Sequence, residues 1–303
     1  MKIAITGGTG FVGKALVSEL VKHDHEIVIL TRKSMQATQN NRIRYVKWLI
    51  EGSNPIDYLQ DTDIIINLAG ESISSGRWNK QRQDLIVNSR KNAVREILDI
   101  ANKLTNKPKA LINASAIGFY GTSETNVFTE EDKGLGNDFL SDTVKQWESE
   151  ANKAAELGMR TVLCRFGIIL DKNEGALPKI TLPYKAFIGG NLGNGRQWMS
   201  WIHIEDVVKG ILFILENEKM KGPVNFTAPH PVTMNEFGKT LANVLHRPHW
   251  LPAPSFALRL LLGEMSMLVL EGQKAIPKKL IENGFHFNYT ELSSALKNIF
   301  PQK

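Results

Sequence analysis

The strongest chemical signal in the sequence is a glycine-rich turn near its start. It runs Thr-Gly-Gly-Thr-Gly-Phe-Val-Gly from Thr6 to Gly13, after an apolar strand and before a predicted helix. Gly8 and Gly10 allow a tight turn and a close approach of the backbone to a pyrophosphate, and Gly13 lets the helix pack on the sheet. The free N–H groups at the helix start then face the phosphates. The spacing predicts a dinucleotide site; the alternative is a purely architectural turn.

The residues after the second predicted strand indicate which dinucleotide the turn would hold. This strand ends at Thr31 and is followed by Arg32 and Lys33, with no aspartate or glutamate. A site for NAD usually has an acid at this point to hold the ribose hydroxyls. A guanidinium can instead grip a 2′-phosphate and stack on the adenine. We therefore expect NADP(H) as the cofactor; the alternative is a solvated basic loop.

Further cofactor contacts are expected after the fourth strand and in the long helix behind it. The fourth strand ends in Asn-Leu-Ala-Gly-Glu over 67–71, where small residues let the backbone approach a ligand. Arg90 either points to the phosphates or forms a surface salt bridge. The predicted cofactor-binding residues are Gly7, Thr9, Gly10, Phe11, Val12, Gly13, Thr31, Arg32, Lys33, Leu68, Ala69, Gly70, Arg90, Ala114 and Ser115.

Two residues at strand ends are the candidates for a catalytic role. Glu71 either offers a carboxylate on the substrate side or caps a loop, and Ser115 either hydrogen-bonds a substrate carbonyl or serves the structure of the strand end. Cys164 lies in an apolar strand with no base beside it in sequence, so an inert buried thiol is expected. His246 and His249 belong to no further ligand pattern, and no metal site is predicted.

The elements that must position these residues alternate between strand and helix. Runs such as Ile64-Ile65-Ile66 are apolar on both faces, which is typical of buried parallel strands. The alternation indicates an α/β fold, a Rossmann-type doubly wound parallel sheet whose ligands lie beyond the carboxyl ends of the strands. The predicted strands are Lys2–Thr6, Glu26–Thr31, Ile43–Trp48, Asp63–Leu68, Ala110–Ser115 and Arg160–Phe166, and the predicted helices are Phe11–Lys22, Lys80–Lys103, Asp142–Leu157 and Glu205–Glu216.

Beyond residue 170 the alternation weakens, which predicts a second domain. We expect an NADP-binding domain over 1–170, its sheet completed by later strands, and a smaller substrate-side lobe and tail over 171–303. Segment 171–200 is rich in Gly and Pro and predicts a loop. A capping box over 233–236 predicts a helix start. An apolar stripe with helical spacing predicts core packing or a dimer face; its residues are Leu258, Leu261, Leu262 and Met265.

Composition and charge exclude several classes of protein. Of the 303 residues 42% are hydrophobic and 22% charged, which is ordinary for a globular protein. No apolar run reaches the roughly 18 residues of a membrane span, no signal-peptide profile is visible, and one cysteine excludes an internal disulfide. The net charge of +6 comes without a basic run or a zinc-finger motif. We therefore expect a soluble cytoplasmic protein with a small-molecule substrate, no nucleic-acid or membrane partner, and a homodimer as one alternative.

Several segments together carry a resemblance to a known family. They are Thr6–Gly13, Asn67–Glu71, Ser115–Gly121, Arg165–Leu170, Trp201–Asp206, Leu262–Met265, Pro277–Leu280 and Gly284–Phe285. In them the sequence resembles the extended short-chain dehydrogenase/reductase superfamily, and more closely its atypical branch of "epimerase family" NAD(P)-binding proteins with a conserved C-terminal tail. The resemblance covers nearly the whole chain. It implies a Rossmann-type domain, bound NADP(H) and a substrate domain formed by the C-terminal part.

The catalytic pair of that superfamily is missing from this sequence. Its chemistry needs a tyrosine as acid and base, with a lysine four residues later that lowers the tyrosine pKa. None of the five tyrosines is followed by such a lysine. By the resemblance, the tyrosine and lysine positions hold Leu140 and Val144, and the serine position holds Ala116, one residue after Ser115.

The sequence therefore leaves open whether the protein is an enzyme. One reading is an NADP(H)-dependent oxidoreductase of unknown substrate, in which Tyr120, Lys145 or Glu71 replaces the missing proton donor or the substrate needs none. The other is an NADPH-binding sensor or scaffold without turnover. The cofactor signature favours the first and the missing pair favours the second. A nucleotide-sugar epimerase or dehydratase is a minor alternative, because its mechanism needs the tyrosine.

Overall fold

A seven-stranded parallel sheet forms the centre of the protein in the computed structural model, which describes residues 1–33, 35 and 40–301. Its strands are β1 (Lys2–Thr6), β2 (Glu26–Thr31), β3 (Ile43–Lys47), β4 (Ile64–Asn67), β5 (Ala110–Ala116), β6 (Arg160–Phe166) and β7 (Gly222–Phe226). Most of their residues are buried because helices cover both faces, and this explains the continuous apolar runs. The predicted α/β doubly wound sheet is confirmed.

The strand order creates a crevice at the centre of the sheet. The order is β7-β6-β5-β4-β1-β2-β3, so the chain moves outward from β1 to β3 and then returns to β4 on the other side of β1. Ile5 of β1 is in register with Ile29 of β2 and with Ile66 of β4. Ligands of such sheets lie at this reversal, beyond the carboxyl ends of the strands. The seventh strand comes from the part of the chain beyond residue 170 and completes the sheet.

The described ranges contain eleven α-helices. They are α1 (Phe11–Lys22), α2 (Ile56–Leu59), α3 (Lys80–Lys103), α4 (Phe139–Asn152), α5 (Leu177–Lys185), α6 (Ile204–Glu216), α7 (Met234–Leu245), α8 (Ser255–Leu262), α9 (Met267–Leu270), α10 (Lys278–Glu282) and α11 (Leu292–Ile299). Shorter 3₁₀ turns are Ile117–Tyr120, Lys153–Leu157 and Gly263–Ser266, and short outlying strands are Val127–Phe128, Ile168–Leu170, Trp198–Met199, Trp201–His203, Val232–Thr233 and Lys274–Ala275. None of the helices in these ranges is both long and apolar enough to cross a lipid bilayer.

Two apolar layers hold the helices against the sheet. Helices α1 and α6 pack on one face, where Leu20 and Ile211 share a buried cluster with Ile5 of β1. Helices α3 and α4 pack on the other face, where Ile97 and Trp147 are buried. A third cluster, around α5, α7 and α11, forms the core of the C-terminal lobe.

Helix starts follow local sequence signals closely. The capping box at Thr233 is confirmed, because the Thr233 backbone N–H donates to the Glu236 carboxylate at 2.7 Å and the Thr233 hydroxyl accepts the Glu236 N–H at 3.3 Å. Helix α4 begins three residues before its predicted start. Its cap is Asp138, whose carboxylate accepts the N–H groups of Leu140 at 2.8 Å and Ser141 at 3.0 Å.

Two predictions for the C-terminal part are wrong. Segment 171–200 contains helix α5, which has Pro178 in its first turn and Pro183 near its end. A proline is tolerated in the first turn because the N–H there has no acceptor within the helix. The apolar stripe does not lie in the core, since α8 has no buried residue and Leu261 is 66% exposed. Helical spacing identifies an apolar face but cannot show what covers it.

Candidate cofactor and substrate site

The glycine turn has a geometry that only glycines satisfy. Gly7 has φ +69°, and a Cβ atom there would lie 2.6 Å from the carbonyl oxygen of Leu68. A Cβ atom on Gly13 would clash with the Gly7 carbonyl oxygen and lie 2.6 Å from the Cα atom of Gly8. Gly10 precedes α1 and has no side chain to cap it, so the N–H groups of the first helical turn stay available to a ligand. These residues fit the pyrophosphate of a dinucleotide.

A cavity of about 490 Å³ extends from this turn along the carboxyl ends of β1, β2 and β4. We call it the cofactor cavity. The predicted residues that line it are Gly7, Thr9, Gly10, Thr31, Arg32, Lys33, Leu68, Ala69, Gly70 and Glu71. The turn and two neighbouring strand ends thus meet at one site, as the sequence predicts.

Other predicted cofactor residues lie away from this cavity. Val12, in the first turn of α1, packs against the core, and Ala114 is buried under the helices of the opposite face. Phe11 faces the C-terminal lobe, where a Cβ atom on Gly175 would lie 3.0 Å from its ring. These side chains support the turn and the sheet, and their contact with a cofactor stays a prediction.

The basic end of β2 lies on the cofactor cavity. Arg32 and Lys33 are both exposed. Within the ranges that the structure describes, the Arg32 guanidinium has no hydrogen-bond or ion-pair partner. The Lys33 backbone N–H donates to the Thr31 hydroxyl at 3.2 Å, which fixes the bend after the strand. Two positive charges are therefore free to meet an anion here.

Sequence reasoning missed one wall of the cofactor cavity. Trp48 and Leu49 line it after β3, and α3 contributes Leu85, Asn88, Ser89 and Asn92. Thr31 of β2 is in register with Lys47 of β3, so the residues after both strands lie side by side. The parallel order of β2 and β3 was the signal that would have pointed to Trp48 and Leu49.

Glu71 lies on the cofactor cavity and is held by α3. Its carboxylate accepts the Arg82 guanidinium at 3.0 Å, and its backbone N–H donates to the Ser89 hydroxyl at 3.1 Å. The sequence left open whether Glu71 offers a carboxylate on the substrate side or caps a loop. The structure places it beyond β4 on the cofactor cavity, and a catalytic role stays a prediction.

A second cavity of about 300 Å³ lies between the carboxyl ends of β5 and β6 and residues from 198–200 and 267–273. We call it the interdomain cavity. Leu140 and Val144, which the resemblance places at the tyrosine and lysine positions of the superfamily, both line it. Trp147, Met199, Met267 and Leu268 add apolar surface, and its charged residues are Arg90, Asp138 and Glu271. The wall next to the carboxyl ends of β5 and β6 is therefore mainly apolar.

Arg90 lies between the two cavities. It lines the interdomain cavity, and a Cβ atom on Gly70 of the cofactor cavity would lie only 3.4 Å from its Cζ atom. Its guanidinium donates to the Ile86 carbonyl oxygen at 2.8 Å and lies 5.1 Å from the Trp147 ring centre. Burial lowers the pKa of Arg90 to about 10, so it stays charged at neutral pH. The surface salt-bridge alternative is wrong, whereas a phosphate contact stays a prediction.

Ser115 belongs to a buried network behind the interdomain cavity. Its hydroxyl donates to the Glu148 carboxylate at 2.5 Å, and Glu148 forms a paired contact with Arg165 through two 2.8 Å hydrogen bonds. Arg165 also donates to the Tyr120 hydroxyl at 3.0 Å, which in turn donates to Asn225 at 2.7 Å. Ser115 is only 3% exposed. A contact between Ser115 and a substrate stays a prediction, and the structure shows its hydroxyl engaged with Glu148.

The residues that the sequence offered as substitute proton donors are also engaged. Tyr120 is 1% exposed within the same network. Lys145 donates to the carbonyl oxygen of Gly136. Neither Tyr120 nor Lys145 is among the described residues that line the interdomain cavity. The geometry thus gives neither side chain direct access to a substrate there.

The ionisation of Tyr120 should make the protein unstable in alkali. Burial raises the pKa of Tyr120 to about 12 from 10.0, so the unfolded chain loses this proton first as the pH rises. The free energy of unfolding should therefore fall progressively between about pH 10 and about pH 12. The titration of Tyr120 accounts for about 2–3 kcal/mol of this loss. Urea unfolding at about pH 9 and about pH 11.5 would measure the drop.

Substitutions distinguish the contribution of Tyr120 to the alkaline loss of stability from those of the other tyrosines. Tyr120→Phe should reduce the alkaline loss of stability. Tyr184, whose pKa burial also raises to about 12, accounts for part of what remains. Tyr58→Phe, at an exposed position, should leave the pH dependence unchanged. An identical alkaline drop in Tyr120→Phe and in the unmodified protein would contradict the assignment.

Comparison with known proteins agrees with this geometry. Residues 3–138 and 187–226 match a model described as the NAD dependent epimerase/dehydratase family. The chain belongs to this family. Residues 253–299 match a further model, described as a domain of unknown function (DUF1731). The resemblance seen in the sequence is therefore confirmed, including its C-terminal tail.

Members of the family match along the whole chain. The epimerase family protein YfhF of Bacillus subtilis (strain 168) is 48% identical over 303 residues, which are 100% of this chain and 99% of that protein. The epimerase family protein SAOUHSC_00792 of Staphylococcus aureus (strain NCTC 8325 / PS 47) is 45% identical over 298 residues, or 98% of each protein.

Solved structures show the same architecture. The human epimerase family protein SDR39U1 (isoform 2), crystallised with NADPH, matches with a TM-score of 0.87 and 31% identity over 99% of both chains. UDP-glucuronic acid 4-epimerase from Bacillus cereus, in complex with UDP-glucuronic acid and NAD, has a TM-score of 0.79 over 99% of this chain and 98% of that one. At 17% identity the second match shows the fold alone. The family and the human structure support a nicotinamide dinucleotide as the cofactor.

Proposed function

We propose that the protein is an NADP(H)-dependent oxidoreductase that acts on a small, largely apolar carbonyl compound or the corresponding alcohol. The observation that carries the proposal is the pair of cations, Arg32 and Lys33, at the end of β2 on the cofactor cavity, for which the described residues provide no acidic partner. The one carboxylate among the described residues that line this cavity, Glu71, follows β4 and is neutralised by Arg82. Among the described residues that line the cofactor cavity at the end of β2, none carries a negative charge that would repel a 2′-phosphate.

Different residues of this chain would bind different parts of the cofactor. Gly7, Gly10 and the first turn of α1 would receive the pyrophosphate, and Arg32 with Lys33 would hold the 2′-phosphate. When bound, NADPH supplies a hydride, so that a carbonyl substrate gains one hydride and one proton from water and becomes an alcohol while NADP⁺ is left. Arg90, between the two cavities, would hold an anionic oxygen at their junction.

The interdomain cavity supports an uncharged substrate. Leu140 and Val144 make its wall apolar, and the resemblance to the superfamily implies its acid–base pair at these two positions. Among the described lining residues Arg90 is the one basic side chain, against two carboxylates, Asp138 and Glu271. A nucleotide diphosphate would need more positive charge than this, which speaks against a nucleotide-sugar substrate.

A non-catalytic NADPH sensor is the second candidate. The same apolar residues, Leu140 and Val144, favour it, because neither can transfer a proton. Consumption of NADPH in the presence of any carbonyl compound would exclude a pure sensor. The loss of nicotinamide absorbance measures this consumption. If turnover is found, a Glu71→Gln/Ser115→Ala double variant should be slower, and full turnover in that variant would remove both residues from the catalytic proposal.

Cofactor preference is tested by calorimetric titration with NADPH and, separately, NADH. The unmodified protein should prefer NADPH. Arg32→Ala should raise the dissociation constant for NADPH at least tenfold, or about 1.4 kcal/mol, because a charge-assisted hydrogen bond is lost. The constant for NADH should stay within about twofold, because NADH has no 2′-phosphate.

A matched charge deletion provides the control. Arg44 is exposed on β3, stacks 5.6 Å from the Tyr58 ring centre and does not line the cofactor cavity. Arg44→Ala removes the same charge nearby and should leave the NADPH/NADH ratio unchanged. An unchanged ratio of the NADPH and NADH dissociation constants in Arg32→Ala would contradict the assignment to NADP(H). Binding of neither nucleotide would mean that the glycine turn is architectural.

A further inference from the structure

Large apolar side chains are concentrated on one exposed surface of the C-terminal lobe. They come from two segments, 182–188 and 247–261, which together we call the basic apolar surface. Leu260 is 80% exposed and Phe256 is 75% exposed. The others on this surface are Leu182, Phe187, Ile188, Trp250, Leu251 and Leu261. An exposed patch of this kind marks an interaction site.

Direct contacts join the two segments where residues 187–189 meet residues 247–250. The Trp250 indole N–H donates to the Phe187 carbonyl oxygen, and the Trp250 backbone N–H donates to the Gly189 carbonyl oxygen, both at 2.9 Å. The Arg247 guanidinium lies 4.5 Å from the Phe187 ring centre. Because the polar atom of the Trp250 ring is satisfied within the protein, the part of the ring that faces outward is hydrocarbon.

Helix α8 is fixed to the body of the protein with its apolar face outward. Phe256 and Leu260 are four residues apart and share one face of the helix. The Arg77 guanidinium donates to the carbonyl oxygens of Leu260 at 3.2 Å and Leu261 at 2.7 Å. Just beyond the helix, the Gln83 side chain donates to the Glu264 carboxylate at 2.7 Å. The exposed apolar side chains of α8 therefore belong to a helix that is anchored to the rest of the protein.

The two stretches of chain that supply this surface lack acidic residues. No aspartate or glutamate occurs over 175–204 or over 237–263, although the chain has 31 such residues. The cations in these two stretches are Lys179, Lys185, Arg196, Lys239, Arg247 and Arg259. Lys185 and Arg259 are exposed within the basic apolar surface itself, and the described residues provide no acidic partner for either.

We propose that the basic apolar surface docks on an anionic phospholipid bilayer. Trp250, Phe256 and Leu260 would enter the interface, while Lys185 and Arg259 would meet headgroup phosphates. A second copy of the chain fits less well, because a twofold contact would set the same cations against each other with no acid between them. The docking is peripheral, and it differs from the expectation from sequence that the protein has no membrane partner.

The test is sedimentation of the full chain with vesicles. Vesicles of equal parts phosphatidylglycerol and phosphatidylcholine should bind the protein, and those of phosphatidylcholine alone should bind it much less. Added salt should weaken binding, because the headgroup attraction is screened. Leu260→Glu should lower the apparent affinity at least tenfold, since it removes an inserted side chain and adds a negative charge.

Leu135→Glu is the matched control. Leu135 is 75% exposed, and it lies outside the basic apolar surface. This variant should bind vesicles like the unmodified protein, and both variants should keep the same thermal unfolding. Equal weakening by both substitutions, or no binding to the anionic vesicles, overturns the proposal. A solution dimer that Leu260→Glu dissociates, without vesicle binding, would assign the surface to a second copy instead.

Discussion

Glu148→Ala is expected to lower the free energy of unfolding by about 3–5 kcal/mol, the usual cost of leaving a buried charge without its partner. Glu148 and Arg165 have side chains that are 6% and 4% exposed. The substitution leaves the Arg165 guanidinium packed 3.5 Å from the Phe119 ring centre with no anion beside it. Urea unfolding at neutral pH measures the loss.

Two comparisons isolate the buried charge as the cause. Asp84→Ala breaks an exposed ion pair with Lys80 at 3.0 Å and should change stability by no more than about 0.5 kcal/mol. Replacing Glu148 and Arg165 together by leucine and methionine should recover part of the loss, because it removes both charges. A Glu148→Ala protein as stable as Asp84→Ala would show that water reaches Arg165.

Gly13→Ala is expected to raise the dissociation constant for NADPH about a hundredfold, or by about 2.7 kcal/mol. The added Cβ atom would clash with the Gly7 carbonyl oxygen and crowd the Cα atom of Gly8. Relief of this clash must separate α1 from the turn, which misplaces the N–H groups that would face the pyrophosphate. Overpacking should also cost about 1–3 kcal/mol of stability. Calorimetry with NADPH and urea unfolding measure the two effects.

A glycine far from the site gives the control. Gly158 has φ +76°, and a Cβ atom there would meet no atom within 4 Å. Gly158→Ala should cost about 1–2 kcal/mol, because an L residue is strained in this region, and should leave NADPH binding unchanged. Normal NADPH affinity in Gly13→Ala would mean that the turn does not hold the phosphates.

The pH prediction and the Glu148 prediction concern one buried network. Tyr120, Arg165 and Glu148 link β6, α4 and the turn after β5 behind the interdomain cavity. The network is built from side chains distant in sequence. Its integrity fixes the apolar wall that carries Leu140 and Val144, and so the shape of the proposed substrate site.

Local sequence signals placed most elements of the sheet domain correctly. The strands Lys2–Thr6, Glu26–Thr31 and Arg160–Phe166 and the helices Phe11–Lys22 and Lys80–Lys103 have the predicted bounds. Periodicity and turn residues determine such bounds because both act between near neighbours in the chain. The same reasoning failed over 171–200, where proline composition hid α5.

The sequence by itself determined the fold class, the glycine turn, the basic end of β2 and the absence of a tyrosine–lysine pair. Each of these depends on residue type at a fixed spacing, which the chain alone records. Only the tertiary structure decided that Trp48 borders the cofactor cavity, that Ser115 donates to Glu148 and that α8 is exposed. These facts depend on which distant segments pack together, and long-range packing is set by the whole core rather than by any local pattern.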